Sequence, residues 1–144
     1  MSEALINKGI SVFGQPNDSV TQPIVVIGTA RGGTSMVAGA LAKLGVFMGD
    51  RAAPPVYEDV RLSELFETQQ FKEVTDVALE YTARGRRWGW KRPSSINYLD
   101  KVDELLSGQY IFIYKDIASI AQRNSISMLS EIVPQMEMAL NQYK

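Results

Sequence analysis

Cysteine and histidine are both absent from the 144 residues. Without cysteine there is no disulfide, no thiolate nucleophile and no thiolate metal site. Without histidine the commonest metal ligand and the commonest general base near neutral pH are missing as well. Neither sign of charge is in excess: 15 Lys and Arg stand against 16 Asp and Glu, for a net charge of −1. That balance gives no global electrostatic case for nucleic acid or an anionic membrane as partner. No apolar run approaches the roughly 18 residues of a membrane span, and the N-terminus lacks a signal-peptide profile. A cytoplasmic location is the resulting expectation. Repeats and low-complexity segments are lacking too. What is present is a chain 45% hydrophobic, enough for one core.

The stretch from Val25 to Ser35, VVIGTARGGTS, carries the most information. Three β-branched apolar residues read as a short buried strand. A glycine-rich turn with one cation and two hydroxyls follows. Val37, Ala40, Leu41 and Leu44 then fall at the spacing of one helix face. Strand, glycine turn and helix start build a phosphate cradle. Glycines let the backbone approach an anion, and the first N–H groups of the helix point at it. Thr34 and Ser35 add hydroxyl donors, and Arg31 adds a forked cation. The plainer alternative is a capped βα turn. Gly28 and Gly33 have the spacing of the nucleotide-binding pattern G-x-x-x-x-G-K-[ST], but Thr34 stands where its lysine belongs. The loop therefore suits an anion handled by arginine and backbone, without an obvious metal.

Residues 1–22 are loosely patterned, and 23–144 read as one domain. A helical pattern runs from about Asp59 to Thr82 with a phase slip near Gln69 and Gln70, giving two helices or one kinked helix. Trp88 to Lys91 reads as a short strand, and Ser94 or Ser95 as the cap of a helix that turns Leu99, Val102, Leu105 and Leu106 inward. Gln109 to Tyr114 is apolar enough for a strand buried on both faces. Asp116 caps the helix after it. Pro134 sits in the first turn of a last helix or kinks a longer one. Strand and helix alternate, which predicts an α/β fold: a parallel sheet flanked by helices in three layers.

In such sheets ligands bind outside the carboxyl ends of the strands. Arg31, Lys91, and Lys115 with Asp116 each follow a predicted strand. Three cations at three strand ends suit a polyanionic nucleotide. Taken singly, each reads as a solvated loop residue.

These residues resemble a family. A strand, then G-x-x-R-[SG]-G-T-S, then a helix is similar to the phosphosulfate-binding loop of the sulfotransferases. Those are P-loop-like α/β enzymes whose donor is 3′-phosphoadenosine 5′-phosphosulfate (PAPS). Three further stretches match in order: Tyr57-Glu58-Asp59, the run Trp88-Gly89-Trp90-Lys91-Arg92-Pro93, and the strand Tyr110 to Tyr114 ending in Lys115-Asp116. The likeness covers roughly residues 23 to 126. It implies a shortened P-loop-like domain, since such domains usually continue further, and transfer of a sulfuryl group to a hydroxyl or amine without a metal.

The resemblance also implies roles. Arg31 faces the transferring sulfuryl, and Gly28, Gly32, Gly33, Thr34 and Ser35 surround the 5′-phosphate. Lys115 holds the 3′-phosphate; Arg123, eight residues on, serves the same phosphate or is an exposed helix residue. Glu58 is the candidate base, helped by a pKa raised through burial, or else a first-turn glutamate; Asp59 is a second candidate base or a helix cap. Lys91 and Tyr57 are the substrate-binding candidates. Trp88, Trp90 and Tyr57 stack a base, wall an acceptor pocket, or pack in the core. Arg84, Arg86, Arg87 and Arg92 attract an anionic acceptor or form a solvated turn.

Two other functions fit the same residues. One is a non-catalytic nucleotide-binding or assembly remnant of this fold; the other is a small P-loop kinase. The expected partners are an adenosine nucleotide and an acceptor of unknown identity. A homodimer is also expected, burying the apolar face of 132–143 with Met136, Leu140 and Tyr143, unless that segment folds back on its own sheet.

Overall fold

The computed structural model describes residues 11–14 and 21–143; the rest of the loosely patterned N-terminal stretch, 1–10 and 15–20, lies outside the described residues. Three parallel strands form the sheet: β1 (Ile24–Gly28), β2 (Gly89–Lys91) and β3 (Gln109–Ile113), in the order β2-β1-β3. Among the described residues six α-helices surround it: α1 (Thr34–Lys43), α2 (Val60–Glu67), α3 (Phe71–Ala83), α4 (Leu99–Leu106), α5 (Ile117–Met128) and α6 (Ile132–Gln142). The class is α/β, as the alternation of elements predicts. None of these helices is long and apolar enough to cross a membrane.

Ladder partners share a sheet face, because side chains alternate along a strand. Val25 pairs with Trp90 and Tyr110, so these lie on one face together with Ile27. The main core forms there, from Val25, Ile27 and Trp90 with Leu62 and Phe66 of α2, Val74, Val77 and Tyr81 of α3, and Val102 and Leu106 of α4. Val26 pairs with Lys91 on the opposite face, toward α1.

Local signals hold well. The phase slip is a break between α2 and α3, with Gln69 at φ 58°. Asp59 caps α2, accepting from the Arg61 N–H at 3.1 Å. Asp116 caps α5, accepting from the Ser119 N–H at 2.7 Å. Pro134 stands in the first turn of α6, where its missing N–H costs nothing.

Three expectations need correction. Ser94 and Ser95 do not cap α4: Pro93–Tyr98 is a 3₁₀ turn ahead of it, and the Ser95 hydroxyl donates to the Arg92 carbonyl. The face α1 turns inward is Thr34 and Ala38, with Val37 and Leu41 half-buried, while Leu44 is 81% exposed. Small residues face the sheet because α1 lies close to it. β3 is not buried on both faces. It is an edge strand, and Phe112 remains 51% exposed.

Candidate functional site

The loop after β1 carries its glycines for steric reasons. A Cβ on Gly28 would stand 2.6 Å from the Ile113 carbonyl oxygen, so β1 and β3 can close at the top of the sheet only around a glycine. Gly33 has φ 108°, a conformation that disfavours other residues, and it delivers the chain into α1. No side chain caps α1 and no acidic residue occupies its first turn. The positive end of the helix dipole therefore meets no negative group of its own helix. Arg31 stands at the loop tip, exposed, at φ 65°. Thr34 is buried and Ser35 half-buried.

A lysine from β2 reaches the start of α1. Lys91 is 1% exposed, and its Nζ donates to Ser35 Oγ at 3.1 Å and to Glu58 Oε1 at 2.6 Å. Its strand position fixes this: Lys91 shares the Val26 face, against the first turn of α1. Arg92, next in sequence, bonds Glu58 Oε2 through Nη1 at 2.6 Å and Glu67 Oε1 through Nη2 at 2.5 Å and Nε at 2.8 Å. One guanidinium thus spans both ends of α2.

Glu58 is 16% exposed. Burial pushes its carboxyl up, but hydrogen bonds from Lys91 and Arg92, reinforced by their charges, hold it below the ordinary carboxylate value. The raised pKa that would suit a resting base is thus not found. A carboxyl held lower in the folded than in the unfolded chain contributes stability that is complete above the ordinary value, about pH 4.5. That contribution is lost as pH falls through its folded value. Urea melts of the protein and of Glu58→Gln between pH 7 and 3 check this. The stability gap between the two proteins is expected to narrow on acidification, and a constant gap contradicts the assignment.

The remaining candidates divide. Lys115 follows β3 and is half-buried; the Tyr143 hydroxyl accepts from its backbone N–H at 3.2 Å and lies 3.2 Å from Thr29 Oγ1, so one phenol joins the loop to the end of β3. Arg123 is exposed on α5, two turns beyond Asp116. Tyr57, at φ 57°, packs its ring on α1, where a Cβ at Gly39 would come 3.0 Å from Cε2. Asp59 is fully buried as cap and core acceptor. Trp88 and Trp90 are core residues: their indole N–H groups donate to Thr82 and Ser63.

The basic run splits as well. Arg84, Arg86 and Arg87 precede β2 and so lie at the opposite end of the sheet from the loop. Arg84 clasps both Asp50 oxygens at 2.7 Å and stacks on Phe47, as Arg86 does. Only Arg92 joins the site. Glu67 and the direct Ser35–Lys91 contact were not expected from sequence, since each depends on the packing of α1 and α2 against β2.

No protein-family model, no curated protein and no solved structure matches this chain.

Proposed function

We propose that the chain is a PAPS-dependent sulfotransferase of P-loop-like fold, with the donor on the loop from Gly28 to Ser35. The single observation carrying this reading is Lys91 Nζ, lodged between the loop hydroxyl of Ser35 and the carboxylate of Glu58. The loop departs from the ATP pattern at the lysine, and the cation comes instead from a second strand, already paired with a candidate base. Arg31 and Lys91 then offset charge on the sulfuryl and on the oxygen that leaves with the phosphate. Lys115 at the end of β3 takes the 3′-phosphate.

Glu58 receives the acceptor proton. The acceptor oxygen or nitrogen forms its bond to sulfur as the sulfur–oxygen bond to the 5′-phosphate breaks, and 3′-phosphoadenosine 5′-phosphate departs with the electron pair. The low resting basicity of Glu58 fits this sequence. When Lys91 turns its ammonium to the donor, Glu58 loses one of the two cations holding its proton affinity down. The base is thereby strengthened only in the loaded site.

Calorimetric titration tests the donor assignment. 3′-Phosphoadenosine 5′-phosphate is expected to bind at least about tenfold tighter than ATP, equivalent to about 1.4 kcal/mol, with little effect of magnesium. Equal affinities with strong magnesium dependence would instead favour a kinase. Tight bisphosphate binding without sulfuryl transfer to a panel of hydroxyl and amine acceptors would favour a non-catalytic binding protein.

A further inference from the structure

Tyr110-Ile111-Phe112-Ile113-Tyr114 reads the same in both directions. It occupies β3 and the residue after it, at the open edge of the sheet. The Gln109 N–H donates to the Pro23 carbonyl at 2.8 Å, so its backbone groups face β1. Because orientation alternates along a strand, Ile111 and Ile113 also face β1. Tyr110, Phe112 and Tyr114 aim their N–H and C=O groups at the free edge. Among the described residues no strand pairs with that row.

Exposed edges are normally protected by a charge, a proline or a bulge. β3 has no charged residue and no proline, and its ladder with β1 runs without interruption from Gln109 to Ile113. Its three aromatic side chains stay partly open: Tyr110, whose hydroxyl donates to Asp103 at 2.7 Å, is 37% exposed, Phe112 51%, and Tyr114, packed on the Tyr143 ring, 68%.

We infer that β3 is a dimer interface, at which two copies of this chain pair antiparallel about a two-fold axis through Phe112. A two-fold contact must be self-complementary, and the palindrome supplies this residue by residue. Phe112 faces Phe112 of the second copy, and Tyr110 faces its Tyr114. Each of these residues presents its backbone groups outward, so each facing pair exchanges both N–H···O bonds. The aromatic rings line up on one face and Ile111 meets Ile113 on the other, as cross-strand pairing favours. A slip of one residue opposes outward groups to inward ones; a slip of two breaks the aromatic match. The joined sheet runs β2-β1-β3-β3-β1-β2. This interface is distinct from the expected one on α6, which packs against α5 and presents Val133, Met136 and Leu140 on a separate exposed face.

Cross-linking reads the register directly. The chain has no cysteine, so Phe112→Cys introduces one thiol per copy. Facing residues of a hydrogen-bonded antiparallel pair lie about 5.5 Å apart between Cα atoms, inside disulfide reach. Mild oxidation is expected to convert most of Phe112→Cys into a covalent dimer. Tyr110→Cys and Tyr114→Cys singly should stay uncross-linked, whereas the double variant links. Light scattering at about 50 μM is expected to give a dimer for the unmodified chain and a monomer for Phe112→Lys, which sets two ammonium groups across the axis. A monomeric unmodified chain overturns the inference. So does a Phe112→Lys dimer, or Tyr110→Cys alone linking as fast as Phe112→Cys. Capture of an extended peptide along β3 by a monomer overturns it too.

Discussion

On the proposed sulfotransferase reading, Lys91→Met is expected to lower turnover by a factor of about 100 to 1,000, the usual cost of one preorganised donor at a developing charge. Binding of 3′-phosphoadenosine 5′-phosphate should weaken far less, because the loop backbone, the start of α1 and Lys115 remain. Methionine fills much of the lysine's volume, which limits packing loss at this buried site. The pH profile gives the sharper readout. Lys91 holds the Glu58 carboxyl down through a 2.6 Å hydrogen bond and its charge. Without it, Glu58 of the unloaded site stays protonated to higher pH, and the acid limb of kcat/KM, which reports the free protein, moves upward. Glu58→Gln should remove that limb together with most of the activity. Unchanged turnover in Lys91→Met, or an acid limb that stays in place, contradicts the assignment of Lys91 and Glu58 as a working pair.

Arg31 provides the contrast. It is exposed at the loop tip and has no ion pair among the described residues. Arg31→Ala is therefore expected to leave melting within about 2 °C, as for surface substitutions generally, while on the proposed reading turnover falls at least about tenfold because the sulfuryl would lose a cation. Thermal melts and steady-state rates on one preparation check both halves. Weaker bisphosphate binding with unchanged turnover at saturation reverses the roles of Arg31 and the loop.

What was legible in the sequence was local. The run from Val25 to Ser35 specifies strand, turn and helix within eleven residues, and the glycines in it answer to nearby backbone. Asp59 and Asp116 announce their helices because a cap acts two or three residues away. The site's wiring was legible only in part. Lys91 and Glu58 could each be singled out by position, but their pairing depends on the residue just before the α2 cap lying against the end of β2. The same packing lets Arg92 reach Glu67, nine residues beyond Glu58, so no spacing rule marks that glutamate. The exposure of β3 was hidden for a related reason. An apolar run is equally compatible with a central strand and an edge strand, and only the order β2-β1-β3 separates them.

Asp59→Ala is expected to have the largest effect on stability, about 3 kcal/mol, seen as a fall of about 10 °C in Tm. Several losses coincide at one fully buried side chain. The cap on the Arg61 N–H disappears, worth about 1 kcal/mol. The Tyr81 hydroxyl loses its acceptor, which it meets at 2.5 Å through Asp59 Oδ2, and hydrogen bonds to ionised partners are worth about 1.5–3 kcal/mol. Burial, and then that bond to Asp59, push the Tyr81 phenol well above its ordinary pKa, so it stays a donor across the neutral range. The backbone of Asp59 accepts from Ser63 Oγ at 2.7 Å, and that oxygen accepts from the Trp90 indole at 3.2 Å. The network therefore ties the start of α2 to β2 and holds Glu58 beside Lys91. Tyr81→Phe leaves the Arg61 cap intact and is expected to cost about half as much. Asp59→Asn retains a cap and one acceptor and should fall between the two. Calorimetric melts of the three variants order them, and an Asp59→Ala Tm within 2 °C of the unmodified chain would show that this network does not anchor α2.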